Sequence, residues 1–287
     1  YKTAWGEEVV LCLDGKRIGL EYVADGLWQG EVSHTALKET LEYGYEIVRE
    51  GVTVRKEWGR HVLPKGLSAK TVNVNDRWQD RPADAPFYST AFTKGIFGRG
   101  ESKGAGACKG ICITVNAPVV RPDEVLAIAG SGKALDNWNR VVPFEDGMFP
   151  VWTLSLEAAE PFMYKLLIAD RETLQPKVWE DGENRVMAVI PEKNACYVEA
   201  SLEPRFTGRQ WKGAGTAIPV FSLRSEDDFG VGEFLDLKKM VDWAAATGQS
   251  ILQLLPINDT TMTGTWEDSY PYNANSTFAL HPQFINL

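Results

Sequence analysis

Apolar and polar residues alternate along 8–13, 27–32, 41–48 and 71–75. Successive side chains on a strand point to opposite faces, so each run predicts a strand with one buried face. Turn-forming residues separate the runs, the pattern of an all-β sandwich. Residues 98–106 read G-R-G-E-S-K-G-A-G, a linker by composition. Alternation resumes afterwards, with strands expected near 111–115, 124–129, 151–156, 162–169, 177–179 and 186–190. Trp152 and Tyr164 fall inside these runs and are read as core.

The period changes after about residue 207. Residues 215–225 are a short apolar strand running into a polar loop. Over 232–248, Phe234, Leu237, Val241 and Ala244 recur at helical spacing, and Gly248 is a helix stop. Glu233, Asp236 and Asp242 read as the solvated face of that helix. Residues 250–257 are almost continuously apolar, as in a strand covered on both faces. Strand, helix and strand make one βαβ unit. The expected division is therefore 1–97, linker 98–106, 107–203 and 204–287.

The first and second parts repeat. The run from Glu8 resembles that from Glu124, Leu27-Trp28 resembles Val151-Trp152, Tyr43 resembles Tyr164, and the stretch around Glu57 resembles that around Glu180.

The net charge is −9 without a Lys/Arg cluster, which argues against nucleic acid or an anionic membrane as partner. No apolar run approaches the ~20 residues that span a bilayer. The sequence starts at Tyr1 inside a strand-like run, so a preceding segment is expected. The four cysteines, Cys12, Cys108, Cys112 and Cys196, read as small apolar residues of a reducing compartment. With three histidines and no second Cys pair, no metal is expected.

The chain has ten tryptophans, and two stand at turns rather than within alternating runs. Trp138 follows Leu-Asp-Asn and Trp179 precedes Glu-Asp-Gly. Lys165, Glu180 and Asn184 lie nearby in sequence. Indole faces stack on apolar sugar faces, while ammonium, carboxylate and amide groups bond hydroxyls. This set resembles the starch-binding domain of carbohydrate-binding module family 20. The resemblance implies that Trp138, Lys165, Trp179, Glu180 and Asn184 line a glucan site. Residues 1–97 then resemble a diverged second copy, with Gly44 at the position of Lys165 and Lys56 at that of Trp179. The Trp5-Gly-Glu turn resembles that family's second glucan site, which implicates Trp5 with Tyr22. Pro122 stands at the corresponding place in 107–203.

The third part carries Pro-Val-Phe-Ser-Leu-Arg-Ser over 219–225, Phe-Gly-Val-Gly-Glu-Phe over 229–234, Gln-Leu-Leu-Pro-Ile over 253–257 and a run from Asp268 to Pro282. These words resemble glycoside hydrolase family 77, the 4-alpha-glucanotransferases, in the subgroup with two N-terminal starch-binding domains. The resemblance implies two immunoglobulin-like β-sandwiches followed by the beginning of a (β/α)8 TIM barrel. It places Tyr272, with Ser269 and Asp268, at a donor-sugar site. It implies a retaining, cofactor-free, cytoplasmic enzyme that moves glucosyl units among α-glucans: maltose, maltooligosaccharides, starch or glycogen. A full barrel takes ~250 residues, so the chain reads as an N-terminal fragment. The two catalytic carboxylates of a retaining enzyme are expected outside it. The competing expectation is a non-catalytic glucan-binding scaffold.

Overall fold

A computed structural model describes residues 1–33, 41–63, 69–80, 86–99 and 108–286. They form two units, Tyr1–Gln210 and Trp211–Leu287. The expected 98–106 linker lies, from residue 100 on, outside the described residues.

In the first unit, strand Glu7–Leu13 lies between Lys16–Gly19 and Leu41–Arg49, with Val52–Lys56 on the far side. His61–Leu63 pairs with the start of Leu41–Arg49. A second antiparallel sheet repeats the plan in the order Val142–Pro143, Glu124–Gly130, Phe162–Asp170, Pro176–Trp179, and Arg185–Met187 pairs with the start of Phe162–Asp170. The registers match residue by residue. Leu13 faces Tyr43, which faces His61; Gly130 faces Tyr164, which faces Arg185. Tyr43 and Tyr164 are equivalent, but Glu124 corresponds to Glu7, one residue before the Glu8 that sequence comparison picks.

A third sheet runs Glu145–Met148, Val151–Leu156, Ile111–Asn116, Ala195–Leu202, Thr71–Asn75, and its last two junctions are parallel. Its two faces go to different cores. Ile111, Ile113 and Val115 pack with Leu126, Ile128, Leu166 and Trp152. Cys112, Cys196, Val198 and Ala200 pack with Leu13, Tyr43 and Leu63. This corrects the expectation of two separate sandwiches. Residues 108–202 form a sandwich, but the first module covers its own apolar face with the back of that sandwich. Thr71–Asn75, expected in the first module, is the fifth strand of the shared sheet. Strands apolar on both sides suit a sheet covered on both faces, and Ile-Cys-Ile-Thr-Val-Asn over Ile111–Asn116 is such a run.

The sulfurs of Cys108 and Cys112 are in contact, while Cys12 and Cys196 are free.

A buried polar cluster ties Asp76, just beyond Thr71–Asn75, to the first sheet. Tyr43 and Tyr45 donate their hydroxyls to Asp76 at 2.8 and 2.7 Å. His61 Nε2 lies 3.0 Å from Glu57 and its Nδ1 3.1 Å from Asp76. Burial pulls the imidazole pKa down, but its contacts with Asp76 and Glu57 outweigh that and hold it at about 9. A pKa raised on folding stabilises fully below the unfolded value of ~6.5, and the gain is lost as pH rises through the folded value. Between about pH 7 and 8.5 the chain should therefore lose about 2 kcal/mol of stability. Urea melts of wild type and His61→Gln check this: the variant's stability should be nearly flat across that window. An equal slope in both would remove His61 as the cause.

In the second unit, Gly215–Ile218 and Ile251–Leu254 pair in parallel around helix Asp236–Ala246. The helix is shorter than the 232–248 expected from periodicity. Glu233 and Asp236 are buried, not solvated. Asp236, the first residue of the helix, reaches back to accept the Glu233 N–H at 2.9 Å. Glu233 accepts from Phe229 N–H and from the Asn286 amide. Among the described residues, no helix is long and apolar enough to cross a membrane.

Candidate functional site

Strand Glu124–Gly130 ends beside Tyr164, and the chain then turns through Lys133–Trp138. Asp136, Asn137 and Trp138 all have positive φ, at 50°, 44° and 73°. Asn and Asp visit this region readily; a tryptophan there is strained, and such strain concentrates at functional sites. The turn is over-determined by its anchors. Leu135 is buried beneath it. Gly132 N–H donates to Asn137 Oδ1 at 3.0 Å, and Asn139 Nδ2 donates to the Asp136 carbonyl at 2.9 Å. The result is an indole ring left 37% exposed at a fixed place.

Gly130 makes the turn possible. A Cβ there would overlap the Met163 carbonyl oxygen and come within 2.7 Å of Leu135 Cδ1. Gly130→Ala should cost ~1–3 kcal/mol by overpacking and shift the Trp138 turn. Thermal melting read beside glucan titration checks this, and an unchanged melt would show that the strand end relaxes freely.

Trp179 closes strand Pro176–Trp179 opposite Leu167 and is 42% exposed. Lys165 is on the adjacent strand, and its Nζ donates to the Gly182 carbonyl at 2.6 Å, holding the turn that carries exposed Asn184. Lys165, Trp179 and Asn184 thus come together at one end of the sheet. The Trp138 turn leaves the neighbouring strand at that end, with Ser131 N–H bonded to the Met163 carbonyl at 2.8 Å.

Glu180 is a correction. It is 4% exposed. Its carboxylate accepts the Leu166 N–H at 2.8 Å and both Nε and an Nη of Arg185 at 2.8–3.0 Å. Adjacent residues on an extended chain face opposite ways, so with Trp179 outward Glu180 turns inward. Its role is to hold the strand end that presents Trp179, and Arg185 is the partner that sequence reading missed. Glu57 does the same in the first module, accepting the Tyr45 N–H at 2.9 Å and contacting His61.

Among the described residues of the first module, Gly44 stands at the position of Lys165, and Lys56, at that of Trp179, pairs with Glu46 at 2.8 Å. Trp5 is fully exposed on the turn before Glu7–Leu13. Tyr22 packs edge-on against Trp28 at 5.3 Å, so among the described residues its ring contact is not with Trp5.

In the second unit, the loop after Ile251–Leu254 is organised by Asp268. It accepts the N–H groups of Met262, Thr263 and Gly264 and the Thr263 hydroxyl. Burial pushes the carboxyl up, but these donors outweigh it and hold its pKa below the usual range. Ser269 donates to the Trp266 carbonyl at 2.6 Å. Asp268 and Ser269 are thus engaged in building the loop, while Tyr272 is exposed, 5.6 Å from the ring of Tyr270.

Two exposed tryptophans at the edge of a sandwich, and a separate βαβ unit, are the features that comparison with known proteins bears on. Residues 110–198 match the starch binding domain family, and residues 218–287 match the 4-alpha-glucanotransferase family. The chain is 31% identical to 4-alpha-glucanotransferase DPE2 from Oryza sativa subsp. japonica, over 100% of its own length and 34% of that relative. It is 45% identical to a 4-alpha-glucanotransferase from Chlamydia caviae over 25% of this chain and 13% of that one. The chain therefore spans about a third of the length of the rice relative, at 34%. Among solved structures, the family 20 carbohydrate-binding module of a maltotetraose-forming amylase from Pseudomonas saccharophila has 16% identity and a TM-score of 0.28, over 32% of this chain and 100% of that one. That likeness is too slight to bear on the fold.

Proposed function

We propose that this chain docks α-glucan through residues 107–203 and opens, over 204–287, the (β/α)8 barrel of a cytoplasmic 4-alpha-glucanotransferase. The whole protein then takes a glucosyl or glucan unit from an α-1,4-linked donor such as maltose and passes it to starch, glycogen or a related acceptor. The exposed Trp138–Trp179 pair beside Lys165 and Asn184 carries the docking reading. The parallel strand–helix–strand unit supports the barrel reading, because the loop after a barrel strand is where such active sites are built, and Tyr272 stands in that loop. A tyrosine face there stacks on the donor ring and stabilises developing positive charge. Nucleophile and acid–base carboxylates ~5 Å apart, as retention requires, belong to other strands of the whole enzyme. A module that holds polymer near the barrel raises its effective concentration there without touching the reacting bond.

Calorimetric titration of the chain with β-cyclodextrin tests the docking half. Saturable heat is expected, and a chain with no heat at millimolar ligand loses that reading. For the whole enzyme, Tyr272→Ala should lower kcat/KM for maltose while leaving glycogen binding by the module unchanged. Equal turnover in both proteins would remove Tyr272 from the donor site.

A further inference from the structure

Three cysteine sulfurs meet where the first sheet packs on the shared sheet. Cys108 precedes strand Ile111–Asn116, Cys112 lies within it, and Cys196 is on the neighbouring strand Ala195–Leu202. The three sulfurs all lie within 4.8 Å of one another. Cys108 and Cys112 bring their sulfurs into contact, and their Cα atoms, 5.9 Å apart, lie inside the usual disulfide range of ~4.4–6.8 Å. Cys196 Sγ stands 3.6 Å from Cys112 Sγ. All are buried among Leu13, Tyr43, Leu63, Val198 and Ala200.

The surroundings decide between two uses of such a triad. A bound soft cation would keep thiolates charged at rest, which this cluster of aliphatic and aromatic side chains opposes, whereas exchange needs a thiolate only in passing. A disulfide is neutral and needs no compensating charge. The third sulfur, already in contact, then has a role that a lone buried cysteine lacks.

We propose that Cys108, Cys112 and Cys196 form a redox-active triad in which the Cys108–Cys112 disulfide exchanges with Cys196 at the junction of the two modules. The oxidant is an external disulfide of the glutathione class. Cys108, buried at rest, attacks it as a thiolate when the junction opens and releases one thiolate. Cys112 thiolate then attacks Cys108 sulfur and releases the second, and the two protons lost by the cysteines end on the two released thiols. In the exchange, the Cys196 thiol loses its proton and attacks Cys112 sulfur as a thiolate, expelling Cys108 thiolate, which takes up the proton; no net oxidation occurs. The new bond joins two neighbouring strands of the shared sheet and frees Cys108. Burial raises the Cys196 thiol above its ordinary pKa, so exchange is slow at neutral pH and speeds up as pH rises.

The test uses the whole chain, reduced and then equilibrated with oxidised glutathione under native conditions. Acid quenching, alkylation and tryptic mass spectrometry follow. Cleavage after Lys109 separates Cys108 from Cys112, so a link between their peptides is visible. The expected result is loss of two of the four titratable thiols, a mass lower by about 2 Da and a Cys108–Cys112 link. A Cys112–Cys196 link should appear at higher pH, and as the main product in Cys108→Ala. Four alkylated cysteines after native equilibration, with a denatured control that oxidises, would overturn the proposal. So would copurifying metal that blocks the thiols without the mass loss. A Cys108–Cys112 link with no Cys112–Cys196 product in wild type at high pH would overturn the exchange step, and that readout needs no variant to fold.

Discussion

A chain carrying both Trp138→Ala and Trp179→Ala should bind β-cyclodextrin at least ~5-fold more weakly than wild type, and at mid-range ~30-fold or more, each ring contributing ~1–3 kcal/mol by analogy with base stacking on aromatics. The two losses add only in part if both rings contact the same sugars. Either single variant should therefore remove more than half of the binding free energy that the pair contributes. The fold should survive. Both side chains are more than a third exposed, and Leu135, not Trp138, anchors the turn from below. Trp138→Ala should even relieve strain, because alanine at positive φ carries less bulk than tryptophan there. Circular dichroism and melting would show the double variant folded, and calorimetry would show the loss. Unchanged affinity would take the site away from this sheet end. Adding Trp5→Ala then locates it: if that change abolishes the residual binding, the exposed turn of the first module is the docking point.

Period-two alternation carried far in the sequence. It placed Glu7–Leu13, Leu41–Arg49, Thr71–Asn75, Ile111–Asn116, Glu124–Gly130, Val151–Leu156, Phe162–Asp170 and Pro176–Trp179 within one or two residues but did not mark Lys16–Gly19, Glu21–Ala24, Val52–Lys56, His61–Leu63, Val142–Pro143, Glu145–Met148 or Ala195–Leu202, and the repeat paired Tyr43 with Tyr164 and Glu57 with Glu180. Which sheet a strand joins is a different matter, because alternation reports faces and not neighbours. Thr71–Asn75 looks the same whether it pairs within the first module or, as it does, with Ala195–Leu202. The clue to the shared sheet was the density of apolar residues on both faces of Ile111–Asn116 and Ala195–Leu202. In the second unit, Glu233 and Asp236 sat on the polar side of a helical wheel, yet both turn inward to accept backbone N–H groups of the segment entering the helix. Charged residues in a first helical turn have backbone N–H groups to satisfy, which periodicity does not register. Of the residues expected to line a glucan site, Trp138, Trp179 and Asn184 are exposed and Lys165 is half-buried. Alternation itself could have separated Trp179 from Glu180, since neighbours on a strand cannot both face the ligand.

That separation leads to the second large effect. Glu180→Ala should cost ~3–5 kcal/mol, the penalty for breaking a buried ion pair and leaving one charge without its partner. Arg185 would lose all its carboxylate contacts, and the Leu166 N–H would lose its acceptor in the core. In a chain of this size, each kcal/mol moves the midpoint by ~2–4 °C, so melting should fall by ~6–20 °C. Glu180→Gln keeps an oxygen for Leu166 N–H and gives up only the charge, so its loss should be smaller. If Glu180 acts by holding the strand end, both variants titrated well below their melting points should bind β-cyclodextrin within a few-fold of wild type. A carboxylate that touched sugar would behave the other way: a near-normal melt with affinity reduced ~10-fold or more, the scale of a hydrogen bond to a charged group at ~1.5–3 kcal/mol. That outcome would mean Glu180 swings outward when glucan binds, and Arg185 would then be the residue to mutate next.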